Sequence, residues 1–319
     1  MNSNLHIVKE EQFENASTLE RAILRALIYF DIFQYPLSKQ EIILFCNIVP
    51  ENLKSVERVL DRLCNRLLIF KFDDLYSIHN SIGLADRRRC GNKGAIEAMP
   101  KAIKRAKLIQ AFPFVRSVNI SGSMSKNYFD ADTDVDFFVI TSKNRIWLTR
   151  LMLTFFKKVF LLNQRKYFCV NYFIDTEQFL IPDKNLFAAT EIVTLKNVTG
   201  AKYYHQFLQE NAWVSDYFPN FEMPILITQN SRMPVFKRSM EKLLSGKFGD
   251  RMDDICFSLM QFFLRRKYRY LNETQFEVNM RGNKHASKHH PQGFQFKVLE
   301  AFNKGCHQFS QKHDFPLDA

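Results

Sequence analysis

The sequence predicts an α+β protein, and three observations lead to that class. Residues 17–79 carry helical apolar periodicities that end in a hairpin pattern. Residues 115–175 alternate short apolar strands with one long helix. From Val235 to Leu271 the chain is helical and basic. At 319 residues, with 46% apolar and 24% charged side chains, it is long enough and apolar enough for two or three ordered cores.

The elements follow in order. Residues 1–16 are polar with no apolar core, which reads as a flexible tail and not as a secretory signal. Ser17 and Thr18 can cap a helix running through Ile23, Leu24, Leu27 and Ile28 to about Phe33. Pro36 and Ser38 open a second helix at Lys39–Cys46, and Pro50 and Asn52 a third from Leu53 to Leu67. Leu68 to Ile78, split by Asp73-Asp74, reads as a hairpin around an acidic turn. Three helices and a hairpin over residues 17–82 resemble a winged-helix domain. In such a domain the third helix is the recognition helix, and here it carries Lys54, Arg58, Arg62 and Arg66 as a basic stripe. Nucleic acid would meet that stripe through its phosphates. A solvated face balanced by Glu57 and Asp61, or use of the module for packing, explains the stripe more simply.

Residues 83–112 read as a basic linker with helical parts, broken early by Gly91 and Gly94 and again by Pro100. The run Arg87-Arg88-Arg89 reads as surface or hinge. Beyond Pro113 comes the stretch that carries chemistry. Val118-Asn119-Ile120 leads into Ser121-Gly122-Ser123, and after a ten-residue spacer stands Asp134-Val135-Asp136 before the apolar run Phe137 to Thr141. Aspartates at i and i+2 of a strand share one side, with Cα atoms roughly 6.5–7 Å apart. Two like charges on a largely apolar strand cost several kcal/mol unless a cation neutralises them, and no Lys or Arg lies between Asn127 and Lys143. A hard divalent cation, Mg2+ or Mn2+, suits two carboxylates. Gly122 lets the backbone approach a ligand closely, while Ser123, Ser125 and Lys126 offer donors to phosphate.

Gly122-Ser123, the spacer, Thr133 and then the Asp134/Asp136 pair resemble the signature of the DNA-polymerase-β-like nucleotidyltransferase superfamily. Asn127 stands where many relatives carry a second glycine, a change its tolerance of left-handed backbone angles permits. The resemblance covers about residues 115–141. It implies a mixed nucleotidyltransferase sheet with flanking helices at 113–225, and with the winged-helix-like N-terminal pattern and a helical C-terminal region at 226–319 the expected architecture is α+β. It further implies a metal-dependent enzyme that moves an NMP group from an NTP, ATP being favoured, to an acceptor with release of pyrophosphate. Asp134 and Asp136 would hold the metal, and Gly122, Ser123, Ser125 and Lys126 would bind the phosphates. Relatives usually add a third carboxylate from a later strand. In the next strand candidate, Tyr167 to Asp175, Asn171 and Asp175 fall on one face by period-two counting, and Asp175 is preferred as the third acid. If Asn171 takes that place instead, the base is missing, and a catalytically weak NTP-binding regulator with the winged helix as its output is the alternative.

Further on, Asn144–Leu162 reads as the helix of a β–α–β unit. Leu186–Lys196 and Ala201–Asn211 read as helices, with Glu191 buried or paired in the first. His285, His289 and His290 are poor metal ligands beside Lys284 and Lys288. The longest apolar run, Ile146 to Leu162, is interrupted by Arg150, Lys157 and Lys158, so no membrane span is expected. Six scattered cysteines without a C-x-x-C pair suit reduced thiols and a cytoplasmic location. A net charge of +12 favours anionic partners.

Overall fold

The computed structural model describes residues 18–164, 166–225, 234–270, 273, 276, 282–288 and 293–317. The expected tail at 1–16, together with His289 and His290, lies outside the described residues. The class is α+β, with a three-stranded and a five-stranded sheet among helices.

The N-terminal unit begins with α1 (18–31), then β1 (Leu37–Ser38), α2 (Lys39–Phe45) and α3 (Leu53–Asn65). Ser38 and Glu41 close a capping box on α2, and the Asn52 side chain caps α3. β2 (Phe70–Phe72) and β3 (Leu75–Ser77) form the expected hairpin. Asp73 takes positive φ at its turn. β1 adds to β3, giving the order β1-β3-β2. Two residues are too few for sequence periodicity to reveal β1.

α4 runs unbroken from Ile82 to Gln110, which corrects the expectation of a broken linker. Pro100 removes only the hydrogen bond to the carbonyl of Ile96, and both residues lie on the exposed face of the helix. Gly91 and Gly94 are kept for close packing. A Cβ on Gly91 would strike the Tyr128 ring, and one on Gly94 the Phe129 carbonyl. Within the arginine run, Arg87 is exposed as expected, but Arg88 is part of a junction. Arg88 is buried, ion-paired to Glu41 at 2.7 Å and stacked over Tyr35, while Arg87 donates to the Phe33 and Gln34 carbonyls.

The central sheet has the order β7-β4-β5-β6-β8. β4 (Val115–Ser121) and β5 (Asp136–Thr141) are antiparallel and are joined through the four-residue turn of helix α5 (Gly122–Ser125). α6 (Ile146–Phe160) then crosses over to β6 (Cys169–Asp175), which lies parallel to β5. α7 (Leu186–Val193) is shorter than expected, because Lys196–Thr199 leaves it to form the edge strand β7, held to β4 by an Asn119–Asn197 hydrogen bond. α8 (Ala201–Glu210) and a 3-10 turn (Ala212–Asp216) follow.

Beyond residue 226 the described chain is mostly helical, with one short strand that the sequence pattern did not suggest. α9 (Val235–Leu243) and α10 (Gly246–Lys267) are separate helices. β8 (Ala286–Lys288) supplies the fifth strand, and α11 (Phe294–His313) closes the described chain. The buried Lys237 donates to the Gln110 and Val115 carbonyls, and Glu241 pairs with Arg116, so α9 is locked to β4. One apolar core lies under α4, α6 and α10. The other, under α7, α8 and α11, is continuous with the core of the N-terminal unit. Among the described residues no helix is long and apolar enough to cross a membrane.

Candidate functional site

The Gly122 turn and the acid pair meet at one end of the central sheet. Ser121, the last residue of β4, is the register partner of Asp136, the first of β5. Gly122 has φ +67°, and a Cβ there would stand 2.5 Å from Asp136 Oδ2. Only glycine fits that backbone angle and that approach together. Asn127 also has positive φ, the conformation expected of it.

Asp134 lies in the loop before β5, and that loop is organised by Asp130. Its carboxylate accepts from the amides of Asp132 and Thr133 and from the Tyr128 hydroxyl, while Thr133 Oγ1 accepts from the Asp130 amide. Sequence reading passed over Asp130, although an Asp three residues before a Thr is a recognisable turn signal.

Of the four expected phosphate ligands, two are engaged elsewhere. Ser125 is buried and donates to the Gly122 carbonyl at 2.7 Å. Lys126 Nζ contacts Glu191 Oε1 at 2.7 Å and the Gly122 carbonyl at 3.2 Å. Gly122 and Ser123 remain partly exposed at the turn.

Asp175 is not part of this cluster. Its register partner is Thr141, whereas that of Asp136 is Cys169, so it sits about 16 Å along the strands from the acid pair. There it is fully buried and accepts from the amides of Asn144, Glu177 and Gln178, with His285 Nδ1 at 3.0 Å. It is a loop anchor. His285 is thereby assigned to the same anchor.

Asn171 meets the acid pair instead, donating from Nδ2 to Asp136 Oδ1 at 2.6 Å. Period-two counting failed because the β5–β6 register slips between Phe137 and Phe138, a bulge that leaves Asn171 as the extra residue. Cys169 lies beside both, its Sγ 3.2 Å from Asn171 Oδ1. Burial and the charge of Asp136 push its thiol up to about 12.

Burial also pushes the Asp136 carboxyl up, to about 7, with the charges of Asp134 and Glu191 adding to the effect and a Cys169 hydrogen bond and Lys126 opposing it. A cation beside it would reverse that direction. The donors here are hard oxygens, so the pair fits a magnesium or manganese ion, although no three His, Cys, Asp or Glu side chains gather as a metal cluster among the described residues. Two cavities flank the pair. One, of about 110 Å³, opens beside Gly122, Asp136 and Asn171 between Phe138, Tyr172 and Phe207, with Glu191 on its wall. The other, about 1020 Å³, begins at Asp134 and Asn171 and passes Arg150, Lys158 and Arg266.

On the basic stripe of α3, Arg62 and Arg66 turn to Glu20 of α1, and Arg66 also lies over Phe315. Lys54 and Arg58 are exposed, and Glu57 pairs with Lys39 instead of with them. No protein-family model matches this chain, nor does any curated protein or solved structure.

Proposed function

We propose that this protein binds a nucleoside triphosphate, with ATP favoured, at the Gly122–Asp136 end of the central sheet and transfers its NMP group to an acceptor. One observation carries this reading: the glycine turn and the second aspartate of the pair are brought within contact, Gly122 leaving space against Asp136 Oδ2. The backbone at Gly122 and the hydroxyl of Ser123 would hold the β- and γ-phosphates. Asp134 and Asp136 would hold Mg2+ or Mn2+, which when bound supplies charge neutralisation at the phosphates. The superfamily resemblance of the motif supports the same reaction class.

A second reading is favoured by Asn171. An amide beside Asp136 cannot accept a proton, and a site of this kind that lacks its third carboxylate would serve as an NTP sensor. Its output would be the winged-helix-like unit, whose order α1-β1-α2-α3-β2-β3 supports that description. With Arg62 and Arg66 turned to Glu20, nucleic acid would find Lys54 and Arg58 as the members of the stripe without an acidic partner on α1, although Arg66 also stays exposed.

Calorimetric titration of each NTP, with and without magnesium, on wild type and Asp136→Asn tests the site. The expected result is metal-dependent binding of one NTP that is lost in the variant; binding of none, or binding indifferent to the substitution, refutes it. Pyrophosphate release from the bound NTP separates the enzyme from the sensor.

A further inference from the structure

The position expected to hold the proton-accepting carboxylate is taken by Asn171, and Asp175 is anchored at the far end of the strands. Another carboxylate nevertheless faces the same cavity. Glu191 is the lone acid of α7, in the otherwise uncharged stretch Leu186–Val193, and it lines the 110 Å³ cavity with Gly122, Asp136 and Asn171. It does not gather with the acid pair into a metal cluster. Its partner is Lys126, on the turn that would carry the triphosphate; the pair is 2.7 Å long, and both side chains keep some exposure. Asp183, on the wall of the same cavity, is 3.5 Å from Lys288.

We propose that Glu191 is the general base of the transfer, and that Lys126 neutralises it until a bound triphosphate draws the lysine away. This rests on the nucleotidyltransfer reading above. A lysine ammonium is a mobile point charge with three donors, and a triphosphate offers it more negative charge than one carboxylate does. Lys126 already contacts the Gly122 carbonyl, so a change of rotamer, without backbone movement, would redirect it. Ser125 Oγ lies 3.5 Å from Thr194 Oγ1, which keeps the turn against α7 while the lysine moves. In the step itself the acceptor oxygen bonds to the α-phosphorus, the bond from that phosphorus to the bridging oxygen breaks, and pyrophosphate leaves with those electrons. The acceptor proton passes to the Glu191 carboxylate. Base and substrate are thereby coupled: the carboxylate is freed only when the triphosphate is in place.

The test compares wild type, Glu191→Gln, Glu191→Asp and Lys126→Met by calorimetry with Mg·ATP and by pyrophosphate release with water as acceptor. The expected result for Glu191→Gln is binding at least as tight as wild type, since the lysine no longer leaves a charged partner, with pyrophosphate release lowered about 100-fold. Glu191→Asp retains part of the rate, and Lys126→Met binds Mg·ATP about tenfold more weakly. A wild-type rate in Glu191→Gln overturns the proposal, as does weaker binding in that variant to match Lys126→Met, which would make the pair merely structural. Binding by wild type without pyrophosphate release also overturns it and leaves the sensor. Failure of wild type to bind any NTP removes the nucleotide site itself, a result distinct from the others.

Discussion

Asp136 starts β5 in partial burial, beside Asp134 and facing Glu191, and its carboxyl is pushed up to about 7. In the unfolded chain the same group titrates near about 4. Between those values the folded protein holds a proton that the unfolded chain has released. Stability therefore falls as pH rises through that window and levels off above it. Asp136→Asn removes the effect. In chelator-treated protein, urea denaturation should show the variant gaining over wild type from near zero at about pH 4 to about 4 kcal/mol above about pH 7. An equal difference at both pH values would mean that the carboxyl is not shifted by folding. Much of this site was legible: the glycine turn, Ser123 and the acid pair stand out by residue type and spacing alone. The choice between Asn171 and Asp175 for the third position was not, because it turns on a register slip at Asn171 that spacing along the chain does not record.

Helix α4 shows why local propensity does not decide an element. Its two early glycines and Pro100 read as breaks, yet the helix is continuous because Gly91 and Gly94 admit the Tyr128–Phe129 segment and Pro100 stands on the wet side. The Phe129 amide donates to the Gly91 carbonyl at 3.0 Å, so the loop leading to the acid pair is fastened to this helix. Glycine to alanine in a helix interior ordinarily stabilises by about 1 kcal/mol. For Gly94→Ala the sign should invert: the new methyl meets a backbone carbonyl that cannot rotate aside, and the expected loss is about 1–3 kcal/mol by urea denaturation. A gain in stability would show that the loop yields. The short strands β1, β7 and β8 escaped sequence reading for a related reason. They are two to four residues long, and the polar side chains of β7 and β8 meet neighbours remote in the chain, Asn197 at Asn119 and Ser287 at Arg150.

At the scale of the whole molecule, the N-terminal unit and the central sheet share one core and are bolted together beside the site. Tyr35 donates to the Lys126 carbonyl at 2.7 Å, Asn92 to that of Asn127 at 2.5 Å, and Asn220 to the Ile43 and Ile48 carbonyls. Arg88 is the centre of this joint, between Glu41, Tyr35 and the Pro36 carbonyl. Removing one member of a buried ion pair leaves the other uncompensated, so Arg88→Met should cost about 3 kcal/mol in urea denaturation. Because the joint touches the turn that carries Lys126, Mg·ATP affinity should fall with it. Loss of stability with unchanged affinity would mean that the N-terminal unit does not support the site.

What the sequence by itself determined is the local chemistry: the helix caps at Ser38 and Asn52, the hairpin at Asp73, the glycine turn and the paired aspartates. Each depends on residues only a few positions apart. Tertiary structure decided which polar groups stand opposite one another. It removed Asp175 to the far end of β6, set Asn171 against Asp136, and brought Glu191 of α7 to Lys126. Those pairings depend on strand register and on which helix covers which face of the sheet. Both are settled by packing across tens of residues, which no spacing along the chain records.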